Sequence, residues 1–163
     1  KPFITSDYVC MTRVSVWYTK QLPEEKWVEL CNLQPATTTI YLLGGPEDDD
    51  ICKRIKNAAL HPVIHVMAGR FSFLQSAPLM MSARMNYVND SAPVHLASSV
   101  DAPVTAFFCS TVPTFGFGPL SKNSLVLGVE DLPCRPCGVH GYKACPLGHF
   151  KCGKLMEVRA GIE

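Results

Sequence analysis

The chain has 163 residues, 47% of them hydrophobic and 18% charged, with a formal net charge of +1. That length fits one globular domain with a sizeable core, and the near-zero charge supplies no overall field to draw in nucleic acid or an acidic membrane, so no nucleic-acid partner is expected. No apolar run approaches the ~20 residues that span a bilayer, and Lys1-Pro2-Phe3-Ile4 has neither a signal-peptide layout nor an initiator Met, as expected of a fragment or a processed product.

Tyr8 to Thr12 reads as a short buried strand, followed by a polar loop from Arg13 to Leu22. Pro23-Glu24-Glu25 opens a helix, because Pro suits the first turn and acids there meet the positive end of the helix dipole; Trp27, Leu30 and Cys31 share its inner face. Thr38 to Leu43 is a second strand by β-propensity, broken by Gly44-Gly45-Pro46, and Glu47 to Asp50 lead into a helix through Leu60. Val63 to Val66 is a third strand, and Phe73 to Arg84 a helix in which Pro78 is an awkward interior residue. Met85 to Val88 is a fourth strand, Asn89-Asp90-Ser91 a turn, Pro93 to Val100 a short helix and Val104 to Phe108 a fifth strand. A Gly- and Pro-rich loop from Ser110 to Ser121 precedes a last strand at Ser124 to Leu127. Strands alternating with helices predict an α/β fold with a mostly parallel sheet and right-handed crossovers.

In such sheets ligands bind beyond the carboxyl ends of the strands. The loops 13–20, 44–47 and 89–95 each follow a predicted strand, so they are expected to converge on one edge. The first offers Ser15, Thr19 and Lys20, a combination suited to an anion. The second offers two glycines for close backbone approach and Glu47 as an acceptor for ribose hydroxyls, although acids at a helix start explain the same residues. In the third, Asp90 or Ser91 is expected to cap the helix at Pro93, whose first N–H groups favour a phosphate, with His95 in the first turn nearby.

Cys10, Cys31, Cys52 and Cys109 lie in apolar segments and read as buried free thiols in a reducing compartment. Cys134, Cys137, Cys145 and Cys152 form a C-x2-C-x7-C-x6-C pattern. Four soft ligands in one stretch fit a tetrahedral structural zinc, with free thiols or disulfides as the alternatives. The chain thus divides into residues 1–130, an α/β binding domain, and residues 131–163, a Cys-rich segment packed on it.

Asn89-Asp90-Ser91-Ala92-Pro93-Val94-His95-Leu96-Ala97 resembles the N-D-S-x-x-x-H-x-A signature of glycosyltransferase family 9, the ADP-heptose:lipopolysaccharide heptosyltransferases. Ser15-Val16-Trp17-Tyr18-Thr19-Lys20-Gln21, with Pro23 and Trp27, is similar to that family's S-x-W-x-T-K-x-x-P-x-x-x-W segment. Leu42-Leu43-Gly44-Gly45 and the run from Ala106 through Pro119 resemble two further motifs, in the same order from about Tyr8 to Cys152.

The resemblance implies the C-terminal, Rossmann-like half of a GT-B enzyme, which holds the donor, with acceptor and catalytic base belonging to an N-terminal half. It implies a donor site at Ser15, Thr19, Lys20, Glu47, Asp90, Ser91, Ala92 and His95, an ADP-heptose-like nucleotide sugar, a lipopolysaccharide core acceptor, a cytoplasmic setting that includes the inner-membrane periphery, and transfer without a metal cofactor. Arg13-Val14 departs from the family's Pro-Gly; Val tolerates positive φ poorly, so the loop is expected to run differently there, with Arg13 offering a phosphate contact. The alternatives are a non-catalytic nucleotide-sugar-binding module and a zinc-stabilised interaction module.

Overall fold

The computed structural model describes residues 7–162. Its six strands are β1 (Tyr8–Thr12), β2 (Thr39–Leu43), β3 (Ile64–Val66), β4 (Met85–Asn89), β5 (Val104–Phe107) and β6 (Ser124–Leu127). All pair in parallel, in the order β3-β2-β1-β4-β5-β6. The helices are α1 (Glu24–Leu33), α2 (Asp49–Ala58), α3 (Ala77–Ser82), α4 (Ala92–Ser99) and α5 (Lys151–Lys154).

The central strands are mostly apolar on both faces because helices cover both faces. β1 and β2 are buried at every position. Val9 and Met11 of β1 point into a core shared with Trp27 and Leu30 of α1 and Cys52 and Ile55 of α2. Tyr8 and Cys10 point the other way, into a core shared with Leu79 and Met80 of α3 and Val94 and Leu96 of α4. The strand order runs outward from β1 in one direction and from β4 in the other. This creates a switch point between β1 and β4, where the connections diverge and leave a crevice.

The expected strands lie within a residue of those observed. The helix expected over 73–84 is instead a 3-10 turn at Leu74–Ser76 followed by the short α3. Pro78 falls in the first turn of α3, where its missing N–H costs no helical hydrogen bond, so it starts the helix rather than interrupting it. α2 stops at Ala58, two residues early, because Ala59 is extended and the Leu60 N–H donates to Asn32 Oδ1 at 2.7 Å.

Among the described residues the Cys-rich end contains only α5 and a 3-10 turn at Val158–Gly161. Phe150, Cys152, Met156 and Val158 nevertheless join the core that holds Trp27 and Phe107. Arg135 ties the segment to the end of β5, donating to the carbonyls of Cys109, Phe108, Thr111 and Val129 at 2.9 to 3.2 Å.

Candidate functional site

The end of β4 carries the polar residues that shape the crevice. Asn89 is fully buried, and an amide placed there must find partners. Its Oδ1 accepts the Leu22 N–H at 3.0 Å and its Nδ2 donates to the Arg13 carbonyl. Ser91 Oγ donates to the Val14 carbonyl. Gln21 closes the same loop from inside, donating to Ser15 O at 2.7 Å while accepting from Arg13 Nη2 at 2.6 Å. The loop after β1 is therefore fixed by the residues after β4.

Between these residues Asp90, also buried, pairs with Lys20 Nζ at 3.1 Å and accepts a hydrogen bond from Thr111 Oγ1. Neither Asp90 nor Ser91 caps α4, contrary to the expectation. Ser91 occupies the cap position in extended conformation, but its hydroxyl is spent on Val14 and the Asp90 carboxylate on Lys20 and Thr111.

A cleft of about 210 Å³ opens beside this knot. Thr12 and Val14 wall it from the end of β1, Leu43 to Gly45 and Glu47 from the end of β2, Ala92, Pro93 and Leu96 from α4, and Phe71, Phe73 and Met80 from the segment through α3. Thr12 Oγ1 is buried without a hydrogen-bond partner among the described residues. The mostly apolar lining with a few polar groups at its rim suits a flat base carrying a polar tail. Crowding requires glycine at position 44, whereas at position 45 only the mobile end of Glu47 stands in the way. A Cβ on Gly44 would lie 2.7 Å from Asp48 Cβ, and one on Gly45 would lie 2.5 Å from the Glu47 carboxylate. Asp48 fixes the turn by accepting the Gly45 N–H at 2.9 Å. Burial pushes its carboxyl above the ordinary value, against the Gly45 N–H that lowers it.

Glu47 and Ala92 therefore line the cleft; Ser91 bonds Val14 of its wall, and the adjoining Asp90 pairs with Lys20. Ser15 is half-buried in the same loop. Two of the expected residues lie elsewhere. The Thr19 hydroxyl is buried away from the cleft, where it accepts from Tyr142 N at 2.7 Å and Ser110 Oγ at 3.2 Å. His95 is exposed on the outer side of α4, edge-on to Phe117 at 6.4 Å. Sequence reasoning missed Asn89, although a polar residue closing a buried strand was the signal, and it missed the aromatic wall, whose segment carries no motif. The departure at Arg13-Val14 needs no left-handed backbone: positive φ among the described non-glycine residues is confined to Asp101, Asp131 and Phe150.

All eight cysteines are free. Burial pushes the thiols of Cys31 and Cys52 up to about 12 and raises those of Cys10 and Cys109 as well. Cys134, Cys137, Cys145 and Cys152 line one cavity of about 20 Å³ with Thr19 and Ser110. Among the described residues no group of three or more His, Cys, Asp or Glu is arranged to hold a metal ion. Burial alone would raise Cys145, but backbone N–H groups from Phe150, Leu147, His149 and Gly148 aimed at its sulfur draw it below the ordinary thiol value. A separate, open groove of about 500 Å³ between α2 and β3 carries Lys53, Lys56 and Arg70 and belongs to none of the three loops.

The family model for glycosyltransferase family 9 (heptosyltransferase) matches residues 3–147. Lipopolysaccharide heptosyltransferase 1 of Pseudomonas aeruginosa is 28% identical over 136 residues, which is 80% of this chain and 36% of that protein. The structure of E. coli ADP-heptose lps heptosyltransferase II superposes with a TM-score of 0.71 at 20% identity, over 84% of this chain and 40% of that one. The dodecameric, iron-containing heptosyltransferase TibC of enterotoxigenic E. coli, solved with ADP-D-beta-D-heptose, superposes with a TM-score of 0.66 at 16% identity, over 94% of this chain and 42% of that one. The chain thus spans about two fifths of the length of these relatives. A zinc-stabilised interaction module is not favoured, since the family match runs through all three loops. The chain belongs to glycosyltransferase family 9.

Proposed function

We infer that this family 9 chain is the donor-binding part of a heptosyltransferase-type glycosyltransferase, with the nucleoside of an ADP-heptose-like donor in the cleft and the diphosphate beside Lys20 and the start of α4. The observation that carries this reading is the cleft at the switch point between β1 and β4, with a Lys20–Asp90 pair joining the two loops that follow those strands. Apolar walls from Phe71, Phe73 and Met80 suit adenine, and Glu47 at the rim suits the ribose hydroxyls.

The chemistry follows from charge. A deprotonated acceptor hydroxyl attacks the anomeric carbon of the sugar, the bond to the donor phosphate breaks, and negative charge gathers on the departing nucleoside diphosphate. Lys20, held by Asp90, and the positive end of α4 meet that charge without reorganising. Asp90 is already engaged by Lys20 and Thr111, so it positions rather than acts as base. The base and the lipopolysaccharide core acceptor belong to a second domain in this reading, and the setting is cytoplasmic, at or near the inner membrane. Cys134, Cys137, Cys145 and Cys152 share one cavity without the arrangement of a metal site among the described residues, and no step of transfer in this reading runs through a metal.

Calorimetry tests the reading. The chain is expected to bind ADP more tightly than 2′-deoxy-ADP, and Glu47→Ala to abolish that preference while retaining residual ADP binding, since it removes about one charged hydrogen bond. No heat with ADP, or a preference untouched by Glu47→Ala, refutes it.

A further inference from the structure

The Cys-rich segment does more than pack on the core, because it reaches the two residues that lead into the diphosphate flank. Thr19 N donates to Tyr142 O at 3.1 Å, and Tyr142 N donates back to Thr19 Oγ1 at 2.7 Å, so the segment grips the loop by a two-way bond. Ser110, at the end of β5, grips the other side, with Ser110 N donating to Thr19 O at 3.1 Å, while Cys137 N donates to Ser110 O at 2.7 Å. Gly141 rests on the next residue. At φ +81° it turns so tightly against Lys20 that an added Cβ would lie 2.9 Å from Lys20 Cγ and 3.1 Å from Trp17 Cβ. The far end of Lys20 is governed by the same segment, since the Lys20 ammonium meets Asp90, Asp90 is bonded by Thr111, and the Thr111 carbonyl is bonded by Arg135 at 3.0 Å.

We propose that the finger between Cys137 and Cys145 is a positioning element for Lys20, holding the stem of that side chain through Gly141 and its backbone through Tyr142. Cys137 and Cys145, at the two ends of the finger, line one cavity with Cys134, Cys152, Thr19 and Ser110, so both ends lie close to the loop they hold. Lys20 is a residue of a flexible type, and an ammonium held in place before the leaving group arrives needs no reorganisation when charge develops. Gly141 and Tyr142 touch no reacting atom; they act through Lys20. This rests on the donor reading for its consequence, but the contact with the loop is independent of any ligand.

Two glycines of the same segment separate positioning from simple destabilisation. Gly141 and Gly148 both have positive φ, at +81° and +72°, so an alanine strains the backbone at either. Only at Gly141 does the new methyl meet Lys20; at Gly148 nothing lies within 4 Å. The test compares Gly141→Ala and Gly148→Ala with the unsubstituted chain by amide hydrogen exchange of residues 17–22 without nucleotide, and by calorimetric affinities for ADP and AMP. Gly141→Ala is expected to speed exchange in residues 17–22 and to lower the ratio of ADP to AMP affinity about tenfold, the loss of one charge-assisted contact to the second phosphate. Gly148→Ala is expected to leave both readings near those of the unsubstituted chain. Equal effects of the two variants, or unchanged exchange in Gly141→Ala, overturn the proposal. Failure of the unsubstituted chain to bind ADP overturns the donor reading instead, and the exchange comparison still decides whether the finger holds the loop.

Discussion

Asp90→Ala removes the carboxylate from beneath Lys20, and its cost follows from the geometry. The pair is 3.1 Å apart, with side-chain exposures of 18% for Lys20 and 7% for Asp90. Truncating one partner of a fully buried pair costs about 3–5 kcal/mol, and the partial exposure of Lys20 reduces this to about 2–3 kcal/mol. In a domain of this size that lowers Tm by about 4–12 °C. Lys20→Ala leaves the buried Asp90 carboxylate with Thr111 as its side-chain partner among the described residues, so it too is expected to destabilise. If the two side chains act as one unit, the double variant is no worse than the more damaging single one, and a urea-unfolding cycle at neutral pH gives a coupling of about 1–3 kcal/mol. Additive losses, with coupling below about 0.5 kcal/mol, would refute the claim that Asp90 holds Lys20 in place.

Thr19→Val keeps the shape of a buried side chain but strands the Tyr142 N–H and the Ser110 hydroxyl; thermal melts are expected to show a loss of about 2–4 kcal/mol, and Thr19→Ser to restore most of it. Iodoacetamide followed by peptide mapping is expected to label Cys145 first, because its thiol is drawn down, and to leave Cys10, Cys31, Cys52 and Cys109 unlabelled until the chain unfolds. Those buried thiols also set an alkaline limit. Their folded-state values are raised, to about 12 at Cys31 and Cys52, so the protonated form is the one the fold favours. Stability is then level below about pH 8.5, where unfolded thiols begin to ionise, and falls above it by about 1.4 kcal/mol per pH unit for each such thiol until the folded value is reached. Urea midpoints measured from pH 7 to 11 check this, and a flat profile contradicts it.

The sheet was legible because a strand buried on both faces is mostly apolar, and Tyr8–Thr12 and Thr39–Leu43 are fully buried in the structure. The helices were less so. Pro78 reads as a breaker or a starter depending on where the turn before it ends, and only packing decides. The three loops meet at one edge because strand order brings β4 beside β1, a neighbour relation that sequence position hides. Individual side-chain roles were the least legible. A helix-cap motif such as Asp90-Ser91 looks the same whether its oxygens face the helix or a neighbouring loop, and Thr19 points at Tyr142, 123 positions away. The Cys-rich pattern signalled that four thiols gather, which they do in one cavity, but carried no hint that the loop between them rests on Lys20.

The central claim is that a nucleotide enters the cleft where β1, β2 and α4 meet. Titrating ADP into the 15N-labelled chain tests it directly. The account predicts that the amide signals of Gly44, Gly45 and Ala92 move together with saturation, while those of Asn57 and Arg70, beside the basic groove between α2 and β3, stay in place. Shifts confined to Asn57, Arg70 and their neighbours would mean that the anion binds the lysines of that groove instead.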